Sequence, residues 1–91
     1  MNTSPHTPIH VLVVDDEESI RFTVNRFLTQ AGFTVTCAQT YDEAIDSLSR
    51  HDFTVAVIDR VLGNGHSGIE IIKNIPARNP FCQSIIMTGF P

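Results

Sequence analysis

Four short apolar runs alternate along this chain with three stretches whose apolar residues recur at helical spacing. Residues 9–14 are apolar and β-branched almost throughout, the pattern of a strand covered on both faces, as in a parallel sheet. Ile20, Val24, Phe27, Leu28 and Ala31 then recur at i, i+4, i+7, i+8 and i+11, one face of a helix. Gly32 stands at the position that usually stops such a helix. Residues 33–37 alternate and predict a half-buried strand. Thr40-Tyr41-Asp42-Glu43 has the form of a capping box and opens a helix with Tyr41, Ala44, Ile45 and Leu48 on one side. Residues 53–58 predict a third strand, the most apolar in appearance, ending at Asp59. A glycine-containing loop over 60–66 leads to Ser67-Gly68-Ile69-Glu70, a second capping box. Ile69, Ile72 and Ile75 predict the buried stripe of the third helix, and Pro76 predicts its end near Ile75. Residues 77–81 form a turn before a fourth strand over 84–87.

This order, β-α-β-α-β-α-β, predicts an α/β domain with a mostly parallel sheet. Right-handed crossovers place helices on both faces, and ligands in such sheets bind beyond the carboxyl ends of the strands. Residues 1–8, with Asn, Thr, Ser and two prolines, read as a disordered lead-in, leaving 9–91 as the domain.

Charge sharpens the picture. The chain has 91 residues and a net charge of −4. Four consecutive acids, Asp15-Asp16-Glu17-Glu18, carry that excess alone, because the other six acids match six bases. An acidic balance argues against a nucleic-acid surface. No apolar run approaches the roughly 20 residues that cross a bilayer, and no signal peptide is visible, which predicts a cytoplasmic protein. Cys37 and Cys82 read as reduced, packed thiols. His6, His10, His51 and His66 lack metal-ligand spacing.

Asp15-Asp16, Asp59 and Thr88 each follow the end of a predicted strand, so they converge on one end of the sheet. Carboxylates gathered there repel one another unless a divalent cation neutralises them, and an all-oxygen set suits Mg²⁺. Asp59 would be the nucleophile, because an aspartate can take a phosphoryl group as an acyl phosphate. Asp15 and Asp16 suit metal holding, and Thr88 suits a hydrogen bond to a phosphate oxygen.

Val13-Val14-Asp15-Asp16-Glu17, Ile58-Asp59 with a helix starting at Ser67-Gly68, and Ile85-Ile86-Met87-Thr88-Gly89 together resemble the receiver domain of two-component response regulators. The resemblance runs from about Ile9 to the end of the chain. It implies a flavodoxin-like fold with strand order 2-1-3-4 over the residues present. It implies that Asp59 accepts a phosphoryl group from a phosphohistidine on a sensor histidine kinase or phosphotransfer domain. It further implies that Asp16 and Asp59 bind Mg²⁺ directly, Asp15 mainly through water, with the backbone carbonyl of Val61 as another ligand. Thr88 would be the switch hydroxyl.

Three features depart from the family pattern. The loop from Leu62 to Gly68 lacks the usual proline and is one residue longer. Val61 offers no polar side chain over the site; in this family that position and Gly89 tune phosphoryl lifetime. The fifth strand and the last two helices are absent, and with them the family lysine, since Lys73 lies inside the third helix. The fourth strand then becomes an exposed edge, a template for pairing with another chain. The sequence therefore reads as a fragment of a longer receiver protein, with assembly through that strand as the alternative. Two other functions remain open: a receiver-like scaffold or dimerisation module that no longer takes phosphate, and an aspartate-nucleophile phosphatase. The phosphatase pattern wants a second Asp two residues after the nucleophile, where this chain has Val61. Enzymatic turnover is otherwise not expected, beyond self-phosphorylation and self-dephosphorylation.

Overall fold

A computed structural model describes residues 8–88; the lead-in, apart from Pro8, and Gly89 lie outside the described residues. The elements run β1 (His10–Val14), α1 (Glu18–Gln30), β2 (Thr34–Ala38), α2 (Tyr41–Arg50), β3 (Val55–Asp59), α3 (Gly68–Lys73) and β4 (Gln83–Met87). All strand pairs are parallel, in the order β2-β1-β3-β4. This is the 2-1-3-4 sheet of a flavodoxin-like α/β fold.

Register divides the core by parity. Leu12 pairs with Ala56, and Val14 with Ile58, which in turn pairs with Ile86. Alternate strand residues share a face, and these pack with Ala44 and Leu48 of α2 and Ile71 of α3. Full burial of a leucine such as Leu12 or Leu48 contributes roughly 1.5–3 kcal/mol. Val13, Val57 and Ile85 take the other face, where α1 packs over β1 and β2. The most buried strand is β1, not β3 as its composition suggested: four of its residues are buried, whereas β3 alternates.

Local signals place the helix ends. Gly32 has φ +100°, Phe33 N–H donates to Leu28 O, and Gly32 N–H donates to Thr29 O, which together form a Schellman stop for α1. Thr40 caps α2, but Glu43 reaches past it to the Gln39 N–H, so the expected box is displaced by one residue. Ser67 and Glu70 make the full reciprocal box at α3.

Two apolar stripes differ from expectation. The half-buried side of α1 is Arg21, Val24, Asn25 and Leu28, which shares only Val24 and Leu28 with the predicted stripe. Phe27 is 71% exposed, because that flank of the helix finds no partner among the described residues. In α3 the buried residue is Ile71, while Ile69 is 43% exposed. The helix presents Gly68, Ile71, Ile72 and Ile75 inward at i, i+3, i+4 and i+7. It ends at Lys73, two residues before the end that Pro76 predicted.

The turn after α3 contains a structural residue that apolar periodicity does not reveal. Asn79 is buried. Its Oδ1 accepts from the Phe53 N–H at 2.7 Å, and its Nδ2 donates to Leu48 O at 2.6 Å and His51 O at 2.8 Å. One amide thus satisfies an orphan carbonyl at the end of α2 and fixes the entry to β3. Asn79→Ala leaves these buried groups unpaired, and each such group costs roughly 1–3 kcal/mol. Urea denaturation should register a loss in that range or above it.

Candidate functional site

The carboxyl end of the sheet gathers the acidic residues. As β1 runs out, the Asp15 N–H donates to Ala38 O, which keeps Asp15 in line with the strand. Its side chain then turns back, and Oδ1 accepts from the Glu17 N–H at 2.9 Å. That turn swings the chain into α1 and leaves Asp15 only 5% exposed, with Asp16 exposed beside it. Asp59 is half-buried at the end of β3, the strand next to β1, and its Oδ1 accepts from the Val61 N–H at 3.3 Å. Carboxylate oxygens of Asp15, Asp16 and Asp59 all lie within 4.8 Å of one another.

Such proximity is unfavourable in a bare protein. Two like charges about 5 Å apart near a protein surface repel by roughly 3 kcal/mol. Burial pushes the Asp15 carboxyl above its ordinary range, and the charges of Asp59, Asp16 and Glu17 add to the effect, partly offset by the Glu17 N–H. Among the described residues no Lys or Arg ion-pairs with any of the three carboxylates. Arg21, which the sequence reading passed over, comes only as far as the Asp15 backbone carbonyl, at 2.9 Å. A cluster of hard oxygens without thiolate or imidazole fits an oxygen-seeking divalent cation.

The loop between β3 and α3 is more ordered than its glycines suggested. Val61 and Ser67 form an antiparallel bridge, flanked by Leu62 N–H to His66 O and Gly68 N–H to Arg60 O. Asn64 and Gly65 have φ of 60° and 77°, and the His66 N–H donates to Gly63 O. Positive φ at both central residues is the mark of a type I′ hairpin turn, for which Asn-Gly is the strongest local signal. That dipeptide stands in the sequence and was read only as part of a glycine-containing loop. In this geometry the Val61 carbonyl receives no backbone N–H from the described residues. At the base, a Cβ on Gly68 would collide with the Asp59 carbonyl oxygen and come within 2.7 Å of Ile58 Cγ2. Glycine there lets α3 begin directly against the backbone of Asp59.

Thr88 follows β4 at the same end. Met87 pairs with Asp59, and Arg60 N–H donates to Met87 O, so the two chain segments leave the sheet side by side. Thr88 is exposed and makes no hydrogen bond to the three carboxylates. The structure therefore brings three of the anticipated residues together, sets the Val61 backbone beside Asp59, and leaves the Thr88 hydroxyl without a bond to any described residue. Among the described residues no thiol or imidazole joins the cluster. Cys37 and Cys82 are half-buried, and burial raises both thiols above their usual range.

Comparison with known proteins decides the family. The model of the response regulator receiver domain matches residues 11–91. The chain belongs to the response regulator receiver family. Receivers are phosphoacceptor modules of two-component signalling, and the match places this chain among them. It is 34% identical over 80 residues, 88% of its length, to a cyclic di-GMP phosphodiesterase of Thermotoga maritima, but spans only 21% of that protein. A Burkholderia pseudomallei response regulator, solved with a phosphorylated aspartic acid, a calcium ion and citrate, is similar in structure: TM-score 0.84, 30% identity, 91% of this chain and 48% of that one. The response regulator TrrA of Thermotoga maritima, solved with Mg²⁺ and BeF, gives a TM-score of 0.81 at 26% identity, covering 90% of this chain and 70% of that one. Divalent-metal binding by this receiver agrees with the metals in both structures and with its own acidic cluster. No helix among the described residues is long and apolar enough to cross a membrane.

The raised Asp15 carboxyl has a consequence for stability. A carboxyl whose folded pKa lies above its unfolded value of 3.8 opposes folding while ionised, and that penalty vanishes once both states are protonated. Metal-free Asp15→Asn should therefore melt higher than the parent at neutral pH. The advantage should shrink as pH falls through the raised value and disappear below 3.8. Added Mg²⁺ should raise the parent's melting temperature and leave the variant's nearly unchanged, as thermal scans at several pH values will show.

Proposed function

We propose that Asp59 is the phosphoacceptor of this receiver, that Asp15, Asp16, Asp59 and the Val61 carbonyl hold Mg²⁺, and that Thr88 is the hydroxyl that engages the phosphoryl group. The observation that carries the reading is the convergence of three carboxylates from the ends of two adjacent strands. The incoming group would come from the phosphohistidine of a sensor histidine kinase or a phosphotransfer domain in the cytoplasm. Residues 9–91 would form the receiver and residues 1–8 its lead.

The chain's part in the reaction is positioning. The Val61 N–H holds one Asp59 oxygen, which leaves the other to attack phosphorus. An O–P bond forms, the P–N bond to the imidazole breaks, and the electron pair departs with the ring nitrogen. The product is an acyl phosphate on Asp59. A bound divalent cation supplies the positive charge that offsets the carboxylates and the transferring group. The short turn from Asp15 to Glu17 and the base of the 61–67 hairpin keep the reacting carboxylates from drifting apart. The domain turns over no external substrate in this reading; the new charge on Asp59 is its output.

A second reading, a receiver-like scaffold that no longer takes phosphate, is favoured by one observation: no basic side chain among the described residues pairs with the cluster. Self-association through β4 belongs with it, because Ile85 is 54% exposed on an edge strand. Sedimentation that finds only monomer at high concentration removes that part.

One experiment separates the readings. The chain is incubated with Mg²⁺ and acetyl phosphate and examined by intact-mass spectrometry. Gain of a single phosphoryl mass, stable to acid and lost in base, is expected. Asp59→Asn should lose the adduct, and omission of Mg²⁺ should slow its formation severely. A folded parent that gains no mass supports the scaffold, and sustained phosphate release from esters supports a phosphatase.

A further inference from the structure

We infer that Tyr41 and His66 form an aromatic clamp that positions the 61–67 hairpin, and through Gly63 sets the place of Asp16 in the acidic pocket. The inference rests on the metal-binding reading of that pocket and adds two positioning residues to it, neither of which touches the reacting atoms.

The hairpin is held together by its own backbone bonds, but its tip has little side-chain packing to fix where it stands. Leu62 is buried in the core, but Gly63, Asn64 and Gly65 are exposed. Its far arm is fixed from outside. The His66 ring lies on the Tyr41 ring with centroids 4.7 Å apart and planes 12° from parallel. Tyr41 is the first residue of α2 and packs against the buried core, so it is a firm base. His66 also meets α3, with Nδ1 at 3.5 Å from Glu70 Oε2, while Glu70 Oε1 accepts from the Ser67 N–H at 2.9 Å. The same N–H holds the Glu70 carboxyl below its usual range, with lesser help from His66 and Lys73. His66 thus joins the hairpin to the starts of two helices.

The near arm faces the pocket. A Cβ at Gly63 would stand 3.7 Å from Asp16 Oδ2, so this part of the arm passes directly beside that carboxylate. Gly63 and His66 are the two ends of the tight turn, joined by the His66 N–H to Gly63 O bond. Over so short a span, a displacement of His66 carries Gly63 with it. Asp16 is the exposed member of the three carboxylates and has no hydrogen bond of its own among the described residues, so its position depends most on what stands beside it. Loss of the stack should let the arm swing and widen the range of Asp16 positions. Cation affinity should suffer more than fold stability.

The test is a Mg²⁺ titration of the full chain by calorimetry, on the parent and on Tyr41→Ala, Tyr41→Phe, His66→Ala and His66→Phe. Melting temperatures are measured alongside. Both alanine variants are expected to bind Mg²⁺ roughly three- to tenfold more weakly, while both phenylalanine variants, which keep a stacked ring, stay near the parent. The double alanine variant should lose no more than either single one, as for partners in one contact. Alanine variants that melt lower but bind Mg²⁺ within about twofold of the parent overturn the clamp and leave a merely structural contact. Should an alanine variant fail to fold, the parent decides: His66 ring resonances that shift on Mg²⁺ addition support the clamp, and unmoved ones overturn it. A parent that binds no Mg²⁺ defeats the pocket reading itself, whereas one that binds Mg²⁺ with unaltered alanine variants defeats the clamp alone.

Discussion

Repulsion among three carboxylates at one end of the sheet is the constraint to which the rest of this structure answers. Asp15 and Asp59 meet because β1 and β3 are neighbours, run parallel and pair Val14 with Ile58 at their ends. A sheet with those strands apart would have no such conflict and no such site. The fold holds the charges together with apolar packing directly beneath them. Val14, Ile58 and Leu62 lie immediately before or just after the acidic positions, and all are buried in one cluster. Stability spent at the pocket is offset one residue below it, and a cation that relieves the repulsion gains affinity from the strain that packing maintains.

The loop after Asp59 solves a second problem set by the same constraint. The chain must leave β3 beside the acids and enter α3 without burying an unpaired backbone group. A two-residue turn at Asn64-Gly65 folds it back, the Val61–Ser67 bridge pairs its arms, and Gly68 lets the helix start against the Asp59 backbone. The loop is thereby closed as a regular hairpin. The pairing uses the N–H groups of Leu62, His66 and Gly68 and spares the Val61 carbonyl, the group a cation would need.

Much of this was legible because the relevant signals are local. The alternation of strand and helix patterns, the Gly32 stop and the Ser67 cap depend on residues within a turn of one another. The acidic pocket was legible by a different rule: Asp15, Asp16 and Asp59 each stand at a strand end, and parallel strands bring such ends to one side of the sheet. What escaped was relational. The inward side of α1 is set by which neighbours cover it, and Phe27 has the right spacing but no partner among the described residues. In α3 Ile72 and Ile75 pack inward as expected, but Gly68 packs inward without being apolar, and the fully buried isoleucine is Ile71 rather than Ile69. Asn79 was invisible for a different reason. Its importance lies in three backbone groups 26 to 31 residues away in sequence, and no periodicity reports that.

These relations divide the molecule into two unequal layers. The face under α2 and α3 carries the continuous core, the Asn79 ties and the Tyr41–His66 stack. On the opposite face α1 covers β1 and β2, while Val57 is only half-buried and Ile85 lies open. Both pocket-bearing strands belong to the first layer through Val14 and Ile58, so the geometry of the acids is set chiefly from that side. From the open face, the Arg21 guanidinium of α1 reaches the Asp15 carbonyl. The pocket's geometry therefore follows from the packed layer, because Val14 and Ile58 stand one residue before Asp15 and Asp59 and are both fully buried.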